Sequence, residues 1–191
     1  MKRVADLCLA VPLIIILLPP ALFIFLLLRI VYGKALFTQW RIGLDGIPFR
    51  LYKFKTLSDN FSLPEQQRVT KIGHFLRMTS LDELPQLLNI LKGDMSLVGP
   101  RPLLAEYLPL LSERIAQRHS IRPGLTGLVQ ISGRNALSWE KRFELDLYYV
   151  KHRSWLMDCK ILFVTFLKMF YPNREEFIIP EKYQGELTHE K

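Results

Sequence analysis

Between Leu7 and Leu28 the chain carries no charged residue, and no other feature narrows its possible folds so far. A straight helix of that length rises about 33 Å, enough to cross the hydrocarbon core of a bilayer. Pro19 and Pro20 stand in its middle. Two consecutive residues without an N–H, each with a ring that crowds the preceding turn, work against a helix in a solvent that cannot repair the loss. Lys2 and Arg3 precede the run, and Arg29, Lys34 and Arg41 follow it, so neither end has the charge-poor flank of a translocated one. The residues fit two paths. One is a kinked spanning helix; the other is a re-entrant hairpin that descends to Leu18, turns at Pro19 and Pro20 and returns, each arm rising roughly 18 Å. A cleaved signal peptide fits less well, because the run is long and no small-residue cleavage site precedes Arg29.

A second apolar stretch, Trp155 to Tyr171, is interrupted by Asp158, Lys160 and Lys168. Its uncharged part is too short to span. It reads either as an interfacial helix with Trp155, Phe163, Phe166 and Phe170 dipping into the headgroup boundary, or as a buried core helix. These two stretches hold most of the apolar excess in a chain of 191 residues that is 49% hydrophobic yet 23% charged, which leaves one globular core with membrane-seeking parts. The net charge of +8 admits nucleic acid, anionic lipid or a phosphorylated small molecule. Nucleic acid fits least, since there is no zinc-finger spacing, no aromatic RNA-binding signature and no Lys/Arg block. Cys8 and Cys159 each fall in an apolar stretch, so a disulfide framework is not expected and a reducing setting is the default. His74, His119, His152 and His189 show no ligand spacing.

The chemistry-bearing stretch is Met78 to Gln86, with adjacent carboxylates Asp82 and Glu83. Pro85 is tolerated only in a first helical turn, which sets a helix start near Asp82. Leu84, Leu87, Leu88 and Leu91 then form an apolar stripe, and Gly93 ends the helix. Ser80 with Glu83 fits a capping box, and acids complement a helix dipole, so the pair has a structural reading. Its company favours a functional one. Arg77 lies just before it, and Arg101, Arg122 and Arg134 each sit in a Gly/Pro-rich loop. Arginine forks and helix N-termini both bind phosphate, so carboxylates among arginines suggest a metal-assisted reaction on a phosphorylated substrate.

Along the chain, Phe37 to Leu57 reads as a β-hairpin in which Lys53 and Lys55 share a face and either meet a diphosphate or stay solvated. Gln66 to Met78 reads as a short helix with Val69, Ile72, Phe75 and Leu76 inward. Met95 to Val98 reads as a strand, and Leu103 to Arg118 as an amphipathic helix interrupted at Pro109. Pro100 and Pro102 stiffen the backbone around Arg101. Leu125 to Ser132 alternates weakly, and Ser138 caps a helix running to about His152. In that helix Asp146 either pairs with Arg142 one turn back or contacts metal or nucleotide. Asn173 to Lys191 is polar and reads as a loosely held tail.

Taken together, these residues resemble the small monotopic phosphoglycosyl transferases of bacteria, the bacterial sugar transferase family, from about Lys2 to Leu167. The most specific passages are Phe37-Thr38-Gln39 with Arg41 and Gly43; Tyr52 to Thr56; Thr79 to Gln86; Lys92 to Ser96 through Gly99-Pro100-Arg101-Pro102; and Arg122-Pro123-Gly124 through Gly133-Arg134-Asn135. The resemblance implies a bacterial inner-membrane enzyme, monotopic and facing the cytoplasm. Such an enzyme moves a phosphosugar from a UDP-sugar to undecaprenyl phosphate, yields UMP, requires Mg²⁺ and begins glycoconjugate assembly. It implies Asp82 as nucleophile, with a role in holding the metal, and Glu83 as its partner; Lys53, Arg77, Arg101 and Arg134 become the candidates for phosphate contacts. It also favours the hairpin turning at Pro19 and Pro20, although Leu18 stands where a small or polar residue often precedes the proline.

The expected fold is α+β and mostly helical. It comprises a membrane hairpin over 1–34, a catalytic domain over 35–171 with a small β-hairpin and amphipathic interfacial helices, and a tail over 172–191. Two other readings stay open: direct attack by the acceptor with Asp82 only holding metal, and a lipid-anchored scaffold without activity.

Overall fold

The computed structural model describes residues 2–170 and 182–185. Helix α1, Lys2–Tyr32, contains Pro12, Pro19 and Pro20 and measures about 45 Å if straight. At Pro19 and Pro20, where the sequence predicts a turn between two arms, the chain remains helical. The φ that proline imposes suits a helix, and what each ring removes is one donor to the carbonyl four residues earlier. Both ends of α1 dock on the same body. At the start, Lys2 binds the Tyr149 hydroxyl and the Asp158 carboxylate, Arg3 donates to the Ile90 and Leu91 carbonyls, and Asp6 accepts from Ser96 Oγ and Leu97 N. At the far end, Ile24 and Leu28 pack with Ala35, Phe54 and Leu76. Between them, Ala10, Ile14 and Leu17 join the central cluster and Ala21 the second one. The stripe at three- and four-residue spacing is therefore continuous along one face.

Alternation after α1 folds as expected into an antiparallel hairpin, β1 (Leu36–Ile42) and β2 (Pro48–Phe54), with Leu36 opposite Phe54 and Ile42 opposite Pro48. Helix α2 is Lys71–Met78, capped by the Thr70 hydroxyl, which accepts from Gly73 N at 2.9 Å. Gly73 is required there: a Cβ would lie 2.1 Å from the Thr56 carbonyl oxygen. Leu76 is buried, but Phe75, expected inward, is 59% exposed. Helix α3, Gln86–Lys92, ends at Gly93 with φ of 94°. Its Asn89, wholly buried, donates to the Arg50 carbonyl at 2.7 Å and accepts from Tyr52 N at 3.1 Å. That side chain satisfies an edge of β2 and ties the strand to the helix. Leu87 of the predicted stripe is buried, whereas Leu88 and Leu91 face out.

Strand β3, Ser96–Val98, pairs in parallel with β4, Gly124–Thr126. Between them, Ala105–Leu110 forms a 3-10 segment through Pro109, and only Glu113–Ala116 (α4) is α-helical, so proline does interrupt the expected helix. The stretch read as weakly alternating continues from β4 into a short helix, α5, Leu128–Ser132. Ser138 caps α6, Trp139–His152, and α7 runs Trp155–Phe170. On α7, Ile161 is buried while Trp155, Leu156, Phe163 and Phe166 are exposed; the side chain of Phe170 lies outside the described residues. Most of the expected tail also lies outside them. Tyr183, however, is buried among Tyr107, Trp139 and Phe143.

His119 is 5% exposed, and both ring nitrogens lack a partner among the described residues. Burial, with the Arg118 charge beside it, lowers its pKa to about 3. The unfolded chain takes up a proton below the ordinary value of about 6.5 while the folded chain stays neutral, so this contribution is present above that pH and is lost as pH falls toward 3. Between pH 7 and 5, wild-type protein is expected to lose roughly 1–2 kcal/mol more stability than His119→Leu. Parallel thermal-midpoint curves for the two would refute this.

Candidate active site

Asp82 and Glu83 do not open an α-helix. They occupy a 3-10 turn, Leu81–Glu83, and α3 begins only after Pro85. The turn follows from Ser80, whose left-handed backbone (φ 56°) reverses the chain after α2. The Ser80 hydroxyl does not cap the turn. Glu83 reaches instead to cations, so the capping-box reading gives way to a charge cluster.

Lys53, projecting from β2, donates from Nζ to Glu83 Oε1 at 2.7 Å, and Arg101 Nη2 donates to the same oxygen at 3.2 Å. Lys53 Nζ is 3.7 Å from Asp82 Oδ2. Arg77 donates to Thr56 Oγ1 at 2.9 Å, and Arg134, itself at φ 50°, reaches Ser80 Oγ. Both also act on the pair through space, Arg77 on Asp82 and Arg134 on Glu83. All four predicted cations thus converge on the two carboxylates.

Two other basic residues do not. Lys55 binds Asp59 beyond the end of β2, and Arg122 donates to the Gly93 carbonyl at 2.8 Å, at the far end of α3.

The two carboxylates are unequal. For Glu83, burial opposes the charge, but Lys53 and Arg101, the hydrogen bond from Lys53, and Arg134 outweigh it and hold the carboxyl well below the usual range. For Asp82, burial prevails: with the Glu83 charge beside it, it raises the pKa against Lys53, Arg77 and Arg101. Glu83 spends its charge on fixing cations. Asp82 accepts no hydrogen bond from the described residues and keeps its lone pairs for a ligand or an electrophile.

Arg101 owes its position to its loop. The carbonyls of Pro100, Arg101 and Pro102 accept in turn from Gly124 N at 2.9 Å, Arg118 Nη2 at 2.7 Å and Arg41 Nη1 at 3.1 Å. Arg118 is 1% exposed and forks onto Asp146, 2% exposed, with Nε at 3.1 Å from Oδ2. Asp146 therefore neither pairs with Arg142, which donates to the Leu137 and Asn135 carbonyls, nor opens onto a ligand. Burial raises its pKa, and Arg118 opposes that. Neither Arg118 nor Arg41 was predicted as part of the site. Arg118 and Asp146 are 28 residues apart, and no helical or strand spacing links them.

Among the described residues no three His, Cys, Asp or Glu gather in one place, which excludes a closed protein cage for a metal there. Mg²⁺ is held by one or two carboxylates together with substrate phosphates and water. Asp82, whose oxygens accept no hydrogen bond from the described residues and meet Lys53 only at 3.7 Å, fits that arrangement.

A family model described as bacterial sugar transferase matches residues 1–172. The chain is 50% identical over 175 residues to an uncharacterized sugar transferase, EpsL, of Bacillus subtilis, covering 88% of this chain and 87% of that protein. It is 39% identical over 186 residues to the UDP-glucose:undecaprenyl-phosphate glucose-1-phosphate transferase of Escherichia coli, covering 89% of this chain and 40% of that one. It is 35% identical over 187 residues to the undecaprenyl-phosphate galactose phosphotransferase of Salmonella typhimurium, covering 86% and 39%. The chain thus spans about two fifths of the length of the latter two relatives.

Removing one partner of a buried ion pair costs about 3–5 kcal/mol, because the other charge stays buried and uncompensated. Asp146→Ala is expected to lower unfolding stability by that order, whereas Lys141→Ala, which breaks the exposed pair with Glu144, costs under about 1 kcal/mol. Comparable losses in denaturant titrations of the two variants would contradict the buried clamp.

Proposed function

Because this chain belongs to the bacterial sugar transferase family, we propose that it transfers a sugar phosphate from a UDP-sugar to undecaprenyl phosphate, at the cytoplasmic face of a bacterial inner membrane. The observation that carries the reading is the division of labour in the acid pair. Glu83 is bound by Lys53 and Arg101, and Asp82, buried beside it, accepts no hydrogen bond from the described residues.

In the first step an oxygen of the Asp82 carboxylate attacks the sugar-bearing β-phosphorus. The bond from that phosphorus to the oxygen bridging to the α-phosphate breaks, and UMP leaves with the bridging oxygen. Asp82 is left as an acyl phosphosugar. In the second step an oxygen of undecaprenyl phosphate attacks the same phosphorus and the bond from that phosphorus to the Asp82 oxygen breaks, which restores the carboxylate and releases undecaprenyl-diphosphate-sugar. Dividing the displacement lets one anion leave before the next arrives.

Lys53, Arg77 and Arg101 resist the protonation that burial favours at Asp82. With Arg134 they also stabilise charge developing on the phosphoryl oxygens. Mg²⁺ held by Asp82 and the diphosphate would supply further charge neutralisation.

Membrane attachment rests on exposed apolar surface. Ile15, Ile16, Phe23 and Ile30 of α1 are 67–82% exposed. Leaving four such side chains in water forgoes about 6–12 kcal/mol, which rivals the whole stability of an ordinary domain. Lipid removes that cost. In this reading α1, held by the body along one face and at both ends, lies within one leaflet with both termini cytoplasmic and Pro19 and Pro20 at its deepest part.

Two experiments test these claims. Incubation with radiolabelled UDP-galactose or UDP-glucose, without acceptor, is expected to leave label on the wild-type chain and on Glu83→Gln but none on Asp82→Asn. Label on Asp82→Asn, or none on any form with a sugar that the enzyme turns over, eliminates the covalent step. For topology, Val4→Cys and Lys34→Cys in a background lacking Cys8 and Cys159 are both expected to resist an impermeant maleimide in spheroplasts and to react after lysis. Opposite protection of the two would make α1 a spanning helix.

A further inference from the structure

We propose that the chain carries a second lipid site, remote from Asp82, which takes the phosphate headgroup of an anionic glycerophospholipid. A cavity of about 160 Å³ lies between the start of α1, the loop before β4 and the junction of α6 with α7. Four cations line it, Lys2, Arg3, Arg122 and Arg153, together with Ser96 and Ser120. The carboxylate in its wall, Asp6, is buried and turns Oδ1 onto Ser96 Oγ at 3.0 Å and Leu97 N at 3.1 Å.

Some of the cations have other duties. Lys2 pairs with Asp158, and Arg3 and the Nε of Arg122 cover carbonyls at the end of α3. The two Nη atoms of Arg122 and the whole guanidinium of Arg153 have no hydrogen-bond partner among the described residues. After Asp6 and Asp158 are counted, two positive charges remain unmatched. Paired guanidinium forks suit a phosphate.

Exposed apolar side chains flank this cavity, Leu9 of α1 at 43% and Trp155 and Leu156 of α7 at 60% and 80% exposure. A charged cup beside exposed apolar surface matches a molecule with a phosphate head and a hydrocarbon chain that lies along the outside of α1 and α7. The cup is smaller than the roughly 300–1,000 Å³ of drug-sized sites, so it suits a headgroup and excludes a nucleotide. The acceptor is also a lipid phosphate, but its phosphate must reach Asp82. Asp82 precedes α3, whereas Arg3 and Arg122 hold the other end of that helix. The bound lipid is therefore a bystander that fastens α1 to α7 at the headgroup level.

This inference relies on the membrane placement proposed above for its source of lipid, yet its test does not depend on the covalent step. The full chain in neutral detergent is equilibrated with equimolar phosphatidylglycerol and phosphatidylcholine and examined by native mass spectrometry. One phosphatidylglycerol is expected to stay bound per chain, about tenfold more weakly in Arg153→Glu. Arg153 is exposed and unpaired, so that variant should keep the wild-type melting temperature and UMP release. Trp155→Ser, which removes exposed apolar surface beside the cup, is expected to weaken phosphatidylglycerol without altering the binding of inorganic phosphate. Equal retention of the two lipids, or unchanged retention in Arg153→Glu, overturns the site. Displacement of the lipid by inorganic phosphate at equal concentration reassigns it to a free anion, and a raised KM for undecaprenyl phosphate in Arg153→Glu reassigns it to the acceptor; either result refutes the bystander lipid.

Discussion

One half-buried negative charge organises the catalytic face. Glu83 is ionised although burial opposes it, and it stays so because Lys53 arrives from β2 and Arg101 from the loop after β3. Three segments distant in sequence meet at one oxygen atom. Removing a buried charge from such a set leaves the others unmatched, so the hairpin, the 3-10 turn and the proline-flanked loop are energetically one unit. Asn89 reinforces that unit, since it binds β2 beside Lys53 and belongs to the helix that follows the carboxylates. The consequence for chemistry is that Asp82 is relieved of holding the cations in place. In the proposed covalent step the nucleophile needs free lone pairs, and a partner that absorbs the structural duty provides them.

The loop bearing Arg101 shows how such precision is maintained without a large sheet. Two prolines restrict its φ angles, but restriction alone does not orient a carbonyl. Three successive carbonyls are each taken by a donor, two of them by arginines that never touch the acid pair. Arg118 is in turn neutralised by Asp146. The chain's surplus of basic residues is therefore not all for ligand binding, because part of it serves as internal scaffolding whose donors reach where backbone cannot.

What was legible in the sequence follows from the range of each signal. Local backbone rules held: the hairpin, the left-handed Gly93, the Ser138 cap and the interruption at Pro109 are each decided within a few residues. Lys53 and Arg101 meet the acid pair, and Arg77 and Arg134 act on it through space, yet a loop setting alone did not single them out, since Arg122 in the same kind of loop covers the Gly93 carbonyl instead. The Arg118–Asp146 pair was not legible, since helical spacing points Asp146 toward Arg142 and carries no information about a partner on another element. The left-handed Ser80 left no trace either, as serine seldom adopts that conformation. Phe75, Leu88 and Leu91 were misplaced for a different reason. The expectation that apolar side chains point inward presumes water outside, and it fails on the lipid-facing surface that the proposed membrane placement assigns.

That failure is itself informative about where the enzyme works. Outward apolar residues occur on α1, α2, α3 and α7, and also on β1 and in the loops at Ile47 and Phe61, and α3 is the helix that the acid-bearing turn precedes. A turn fixed to a helix with two outward leucines is held at a set depth relative to whatever those leucines enter. An acceptor phosphate anchored by its polyprenyl chain is confined to the headgroup level, and a nucleotide sugar arrives from the cytosol. In the proposed placement, a carboxylate tied through Pro85 to a lipid-contacting helix, with cations reaching its neighbour from a hairpin and a loop on other sides, stands where both reactants have access. In that placement the N-terminal helix would complete the geometry, because with both ends docked on the same body it would stop the catalytic unit from tilting away from the surface that holds its acceptor.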